Sequence, residues 1–125
     1  PTDTPTDTSS FVRFQSRSDT NPCLVIDNDE LIAANCTNID EEYWLIDENG
    51  FLKNKTGKYV NKGLKLKNKP ASFNENFVFV YNRFHETLIS AKAFKAICSA
   101  DGEIKLIKYL KHGNVGSEHR WNVLA

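Results

Sequence analysis

The sequence lacks a long apolar run and an excess of charge of either sign. Lysine plus arginine and aspartate plus glutamate both number 16, so the net charge is zero. This balance argues against nucleic acid or an anionic membrane as the main partner. No apolar stretch approaches the length of about 18 residues that a transmembrane helix needs. With 125 residues, the chain has the length of one domain, and no membrane span is predicted.

Residues typical of catalysis and of cofactor binding are also scarce. The sequence contains neither a phosphate-binding loop nor a dinucleotide-binding fingerprint, so no cofactor is expected. The three histidines, His85, His112 and His119, have no serine or cysteine nucleophile motif beside them. No second cysteine or histidine pair has the spacing of zinc ligands, so no metal site is expected. We therefore interpret the chain as a binding protein and not as an enzyme.

The first ten residues are a doubled Pro-Thr-Asp-Thr unit followed by two serines. They contain no apolar residue, and burial therefore cannot offset the entropy lost when they become ordered. Residues 1–10 are predicted to be a disordered tail or linker, and a docking peptide is the alternative. The folded domain is expected to span residues 11–125.

What the sequence does contain is about a dozen short apolar runs, most of them four to eight residues long. They are rich in β-branched and aromatic residues and are separated by Asn, Asp, Gly, Ser or Lys, which is the pattern of strands and turns. Asn49-Gly50, between the runs WLID and FLKN, indicates a tight hairpin. Residues 85–97 place apolar residues three apart and could form a helix. We predict two strands there, because of the repeat described next.

Large aromatic residues recur at similar distances along the chain. Trp44, Phe79 and Trp121 are separated by 35 and 42 residues. A unit of roughly 40 residues fits three times between Phe11 and Ala125, with about four strands in each unit. Three repeats of four strands predict an all-β fold, the β-trefoil, which is a closed barrel capped by hairpins. The three aromatic residues should fill a shared core, where each contributes roughly 2–3 kcal/mol through burial.

In residues 11–125 the chain resembles the lectin domains of the ricin B-chain type. That family ends each repeat with Gln-x-Trp. The corresponding segments here are Glu42-Tyr43-Trp44 and His119-Arg120-Trp121, with Phe79 in the middle copy, and the glutamine is absent from all three. The family also closes a hairpin with two cysteines, as in CLVIDNDELIAANC. The resemblance implies a β-trefoil and lectin-like binding, although growth-factor, cytokine and Kunitz-inhibitor trefoils remain alternatives.

Cys23 and Cys36 stand at the ends of this hairpin, which has a turn at Asp27-Asn28-Asp29. Antiparallel pairing would bring their Cα atoms to about 5.5 Å, within reach of a disulfide. A disulfide implies an oxidising compartment, and two reduced buried thiols are the alternative. Cys98 is expected to take the place of Cys23 in the third repeat. The partner position would then be Lys111, so Cys98 should be buried and inert or should pair with another chain.

The resemblance also implies where a sugar would bind. In this family an aspartate two residues after the first cysteine position accepts hydrogen bonds from the sugar. An aromatic residue two before the second cysteine position stacks on the apolar face of the sugar. The first repeat has Val25 and Ala34 at these positions. The second repeat has Asn61 and lacks the aromatic residue.

The third repeat retains more suitable residues. Its aspartate position is Ala100, with Asp101 beside it, and Tyr109 is at the aromatic position. We therefore predict a carbohydrate-binding site formed by Asp101, Tyr109, His112 and Asn114. A packed strand residue is the alternative role for Tyr109.

The second repeat is unusually basic, with seven lysines within 17 residues: Lys53, Lys55, Lys58, Lys62, Lys65, Lys67 and Lys69. A basic face would attract sulfated glycans or an acidic protein. The alternative is a solvated edge that discourages strand pairing.

These patterns predict a secreted, non-catalytic recognition domain that binds a cell-surface glycan or glycoprotein. Such a domain could be the cell-binding part of a toxin or of a surface protein. The alternative is a trefoil whose sugar sites have decayed and whose surface binds a partner protein, as in a toxin subunit, a cytokine or an inhibitor.

Overall fold

The computed structural model describes residues 11–18, 20–100, 103–108 and 116–124. These residues form twelve short β-strands and three 3-10 helices, without an α-helix among them. The strands are β1 (Arg13–Ser16), β2 (Cys23–Asp27), β3 (Glu30–Ala34), β4 (Trp44–Ile46), β5 (Leu52–Asn54), β6 (Tyr59–Val60), β7 (Leu66–Lys67), β8 (Phe79–Asn82), β9 (Thr87–Ser90), β10 (Lys95–Ala100), β11 (Glu103–Lys108) and β12 (Trp121–Leu124). The 3-10 helices are η1 (Asp40–Glu42), η2 (Glu75–Phe77) and η3 (Ser117–His119).

All strand pairs are antiparallel and form two sheets. The larger sheet has the order β12-β1-β2-β3-β11-β10-β9-β8, and the smaller has the order β4-β5-β6-β7. The prediction of two strands within residues 85–97 is confirmed, because β9 and β10 flank a turn. The β2–β3 turn is formed by Asn28 and Asp29, both with a positive φ (51° and 60°). Asn and Asp tolerate this conformation better than most residues, which fixes the hairpin at this point.

Three equivalent backbone hydrogen bonds join the repeats. In each, the amide of the large aromatic residue that begins β4, β8 or β12 donates to a carbonyl of another segment. The pairs are Trp44 to Val12 at 2.7 Å, Phe79 to Gly50 at 2.9 Å and Trp121 to Glu86 at 2.7 Å. The same contact occurring three times demonstrates the internal threefold repeat at the level of the backbone.

The main core contains three fully buried side chains from each repeat. These are Phe14, Leu24 and Trp44, then Leu52, Val60 and Phe79, then Leu88, Ile97 and Trp121. The predicted burial of the three large aromatic residues is confirmed. The two indoles make equivalent hydrogen bonds to backbone carbonyl groups. Trp44 Nε1 donates to Leu24 O at 2.8 Å, and Trp121 Nε1 donates to Ile97 O at 2.9 Å.

These indole contacts correct one expectation from the sequence. Since Leu24 and Ile97 are equivalent, Ala96 takes the place of Cys23 and Cys98 takes the place of Val25. The expected equivalence of Cys98 and Cys23 is therefore wrong by two residues. The register of a half-buried strand is set by the residues that face the core. The position of a cysteine in the sequence therefore does not predict that register.

The structure contains the expected disulfide between Cys23 and Cys36, whose Cα atoms are 5.2 Å apart. Cys98 is a free, buried thiol. The disulfide fastens the segment that follows β3 to the outer face of β2, so it fixes the position of the chain just before η1.

Candidate functional site

On the sheet face that is turned away from the main core, each group of four neighbouring strands has a row of four side chains. The register gives Asn122, Gln15, Cys23 and Ala34 as the first row, on β12 and β1–β3. It gives Leu45, Lys53, Tyr59 and Lys67 as the second row, on β4–β7, and Val80, Ile89, Ala96 and Ile107 as the third row, on β8–β11. The three rows differ in chemistry although the backbone repeats. The second row is cationic with one phenol, and the third row is entirely apolar.

The predicted third-repeat site lies largely beyond what the structure describes. Asp101, Tyr109, His112 and Asn114 are outside the described residues, and their role stays a prediction. The register of β10 and β11 places Cys98 and Ile107 at the positions equivalent to Val25 and Ala34. The two positions that the lectin resemblance assigns to an aspartate and an aromatic residue are thus a thiol and an isoleucine in the third repeat.

Cys98 is unsuited to bind a sugar hydroxyl. Its side chain is buried, and burial raises the pKa of the thiol above its ordinary value, with a further upward contribution from Glu118. Lys105 acts in the opposite direction. The thiol therefore stays protonated and weakly nucleophilic near neutral pH.

The segment before each large aromatic residue is held by different chemistry in each repeat. In the first repeat the fully buried carboxylate of Glu42 accepts hydrogen bonds from the amides of Thr37 (3.0 Å), Asn38 and Ile39 (3.2 Å). In the second repeat an aromatic cluster of Phe51, Tyr59 and Phe77 takes this role. In the third repeat His119 Nδ1 accepts from the amide of Gly116 at 3.2 Å. Glu42 and His119 occupy the position of the missing glutamine, and both act there as backbone acceptors.

A polar cleft of about 480 Å³ lies between the first and second repeats. Its lining residues come from the β2–β3 turn, from the chain around η1 and from the β5–β6 turn: Ile26, Asp27, Asn28, Asp29, Ile39, Glu41, Thr56 and Lys58. We call this the first-repeat cleft. Its volume is within the range of small-molecule sites.

Asn54 holds the two walls of the first-repeat cleft together. This fully buried side chain donates through Nδ2 to Glu41 O at 2.9 Å. Its Oδ1 accepts from the amide and the hydroxyl of Thr56 at 2.9 and 2.7 Å. An ion pair between Lys55 and Asp40 at 3.5 Å joins the same two segments at the surface. The cleft is therefore built by buried contacts and does not depend on exposed turns alone.

The chemistry of the first-repeat cleft suits a polyhydroxylated ligand. Asp27, Asp29 and Glu41 offer carboxylate acceptors for hydroxyl groups, and Lys58 offers a donor. Ile26 and Ile39 supply apolar surface beside them. Three carboxylates against one ammonium give the described lining residues a net charge of −2, which disfavours an anionic ligand.

The residues that the structure places in this cleft were not among those predicted from the sequence to bind a sugar. The relevant signal in the sequence was the acidic cluster of the first repeat, which includes Asp27, Asp29 and Glu41. The sequence could not place that cluster opposite Thr56 and Lys58, because the two segments meet through tertiary contacts such as those of the buried Asn54.

No family model matches the sequence, and no curated protein matches it. Solved structures do match the fold. An agglutinin from Abrus precatorius has a TM-score of 0.73 at 13% identity over 90% of this chain, which spans only 47% of the agglutinin chain. The C-half of an earthworm R-type lectin, in complex with GalNAc, has a TM-score of 0.71 at 10% identity, covering 92% of this chain and 98% of the lectin chain. ThreeFoil, a designed protein with threefold symmetry, has a TM-score of 0.70 at 16% identity, covering 93% of this chain and 99% of its own.

The fold is a β-trefoil. At these identities the similarity establishes the trefoil architecture, and the chemistry of binding has to be argued from the side chains of this chain. None of the helices in the described part of the trefoil has the length and apolar composition to cross a membrane.

The lysines of the second repeat do not form one continuous face of the trefoil. Lys58 lines the first-repeat cleft, and Lys55 pairs with Asp40. Lys53 and Lys69 line a separate cleft of about 420 Å³ together with Asp47 and Glu48. Lys62, Lys65 and Lys67 are exposed and form the remaining basic surface.

Tyr59 forms part of the wall of the cleft that Lys53 and Lys69 line. Burial raises the pKa of its phenol above the ordinary value, and the nearby carboxylate of Asp47 raises it further. The phenol is therefore neutral at physiological pH, and the cleft contains charges of both signs.

Proposed function

We propose that this trefoil is a non-catalytic carbohydrate-recognition domain whose first-repeat cleft binds a neutral or amino sugar. The observation that carries the proposal is the convergence of Asp27, Asp29 and Glu41 beside the apolar side chains of Ile26 and Ile39. A pyranose has hydroxyl donors along its edge and a C–H face, so it matches both kinds of surface. The GalNAc complex of the similar earthworm lectin supports a sugar as the ligand class.

The net negative lining makes the proposal more specific. Sialylated and sulfated glycans would bring an anion toward three carboxylates and should bind poorly. The disulfide between Cys23 and Cys36 supports an oxidising compartment, and we propose that the domain acts outside the cell on a surface glycan or glycoprotein. A role as the cell-binding part of a toxin or of a surface protein is part of this proposal.

Isosteric substitutions in the β2–β3 hairpin give the direct test. Asp27→Asn removes a carboxylate from the cleft lining and leaves its shape unchanged. A hydrogen bond to a charged acceptor contributes about 1.5–3 kcal/mol, so affinity for the best neutral sugar on a glycan array should fall at least about tenfold. Glu30→Gln is the matched control, since Glu30 is the exposed cross-strand partner of Asp27 and is not among the lining residues. Equal affinity in both variants would refute the assignment.

Two other surfaces give distinguishable outcomes in the same assay. If the third repeat binds the sugar, Tyr109→Ala should abolish binding and Asp27→Asn should not. If the basic surface binds a sulfated glycan, neutralising Lys62, Lys65 and Lys67 should weaken binding. In that case affinity should also fall steeply with salt, since exposed charges are screened over about 8 Å at physiological ionic strength.

A protein partner is the second candidate function, and exposed aromatic residues favour it. Phe84, in the β8–β9 turn, is 86% exposed, and Phe94, in the β9–β10 turn, is 52% exposed. Phe94 also has a φ of 55°, a conformation that a bulky residue adopts at a cost. Under this hypothesis, binding to cells should survive enzymatic removal of surface glycans and should be lost in Phe84→Ser. Loss of binding on deglycosylation would contradict it.

A further inference from the structure

A third cleft, of about 500 Å³, lies at the end of strands β4, β8 and β12 of the trefoil barrel and shares no lining residue with the first-repeat cleft. Its lining residues are Val12, Phe14, Ile46, Tyr81, Arg83 and Val123. Ile46, Tyr81 and Val123 each lie two residues after the large aromatic residue of their repeat, so they are equivalent positions of the trefoil. We call this the barrel-mouth cleft.

The lining of the barrel-mouth cleft is apolar apart from one cation. Phe14 is buried and packs against the ring of Tyr81 with a centroid distance of 5.8 Å, which gives the cleft an aromatic base. The Tyr81 hydroxyl donates to Trp121 O at 2.6 Å, so its hydrogen is already used within the protein. Arg83 is exposed, and among the described residues that line the cleft it is the charged one.

We infer that the barrel-mouth cleft binds a small amphipathic carboxylate, with an alkyl or aromatic group against Phe14, Ile46 and Val123 and the carboxylate on Arg83. A guanidinium forms paired hydrogen bonds with a carboxylate, and the apolar walls favour the rest of the ligand through burial. The positive charge of Arg83 makes the site selective for an anionic headgroup, because a neutral or cationic amphiphile gains nothing from Arg83.

Three amphiphiles with a C10 chain and different headgroups test this inference: decanoate and decyltrimethylammonium below their critical micelle concentrations, and decanol below its solubility limit. We expect decanoate to bind most tightly in calorimetry and the cation to bind most weakly. In the unmodified protein, intermolecular nuclear Overhauser effects should connect the alkyl chain to the methyl groups of Val12, Ile46 and Val123. Decanol binding as tightly as decanoate would overturn the inference, as would contacts confined to other methyl groups.

Substitutions at two exposed positions distinguish decanoate binding in the barrel-mouth cleft from nonspecific binding to other apolar surface. Val123, 43% exposed, lines the cleft, whereas Val80, 51% exposed, lies on the outer face of β8 and serves as the matched control. Val123→Gln, which adds polarity without charge, should reduce decanoate affinity at least about tenfold, and Val80→Gln should leave it unchanged. Arg83→Gln should weaken decanoate about two- to fivefold, the usual range for an exposed ion pair, without affecting decanol.

Equal losses in the two valine variants would overturn the inference, and so would decanoate affinity that is unchanged in Arg83→Gln. The nuclear Overhauser contacts of the unmodified protein keep the test decisive if Val123→Gln fails to fold. The inference is independent of the proposed sugar site, and a neutral sugar that binds the first-repeat cleft should not displace decanoate.

Discussion

Glu42 supports the wall of the first-repeat cleft. Its replacement by alanine should lower the free energy of unfolding more than its replacement by glutamine. Both carboxylate oxygens are used, Oε1 by the amides of Asn38 and Ile39 and Oε2 by the amide of Thr37. Arg13 Nη1 lies 3.9 Å from the same carboxylate. Glu42→Ala would leave these donors without their acceptor and open a cavity, and we expect a loss of about 3–5 kcal/mol.

Glu42→Gln should cost less, about 1–2 kcal/mol. The amide keeps one acceptor oxygen for Asn38 and Ile39, but its NH₂ group then faces the amide of Thr37, so one hydrogen bond is lost and two donors oppose each other. Because small domains are stable by only about 5–15 kcal/mol, both changes should be measurable.

Urea unfolding followed by tryptophan fluorescence, with the disulfide intact, measures these differences. Glu41→Gln is the matched control, since the neighbouring Glu41 side chain is partly exposed and should change stability by less than about 0.5 kcal/mol. A Glu42→Gln variant as stable as the parent protein, or equal losses for glutamine and alanine, would refute this account of the carboxylate. Sugar affinity should fall in parallel with stability, because Ile39 is in the segment that Glu42 holds.

Three further predictions follow from the core and the cysteines. Replacing Cys23 and Cys36 by serine should cost about 3 kcal/mol in urea unfolding, since the disulfide closes a loop of 13 residues, and a loss below about 1 kcal/mol would contradict this. Trp44→Phe should cost about 2–3 kcal/mol, because it leaves the buried Leu24 carbonyl without the indole donor at 2.8 Å, and a neutral change would contradict the role of that contact. Cys98 should not react with Ellman's reagent at pH 8 unless the protein unfolds. Burial raises its pKa, so stability should decline as pH rises above about 9, where the unfolded thiol ionises first; a Cys98→Ala variant should decline less, and an equal decline would contradict this.

The repeat itself could be predicted from the sequence because it depends on large, regularly spaced features. Trp44 and Trp121 are the two tryptophans of the sequence, Phe79 lies between them at a similar spacing, and all three are buried in the structure. The Asn49-Gly50 turn and the cysteine hairpin are local signals that need no knowledge of the rest of the chain. These features were sufficient to predict the fold class and the burial of the core aromatic residues.

The registers and the cleft could not be predicted, since both depend on contacts between distant segments. The equivalence of Cys98 with Val25 follows from the hydrogen bond of Trp121 to Ile97, and the sequence gives no direct sign of it. Likewise, Thr56 reaches the first-repeat cleft only because Asn54 is buried against Glu41. Motif spacing alone therefore assigned the third-repeat aspartate and aromatic positions two residues too late relative to the observed register.

The pairing of β1 with β12 has a consequence for synthesis of the protein. Arg13 lies opposite Leu124, so the first strand of the trefoil to leave the ribosome cannot pair with its neighbour until β12 has been synthesised. At about 5–20 residues per second, roughly 5–20 s pass between the two strands. During that interval Phe14 lacks Val123, the residue opposite it in β12, and the edge of β1 that will pair with β12 is open to pairing with other chains. Folding of the trefoil should therefore be complete only after β12 has been synthesised, and association of incomplete chains is the failure expected before then.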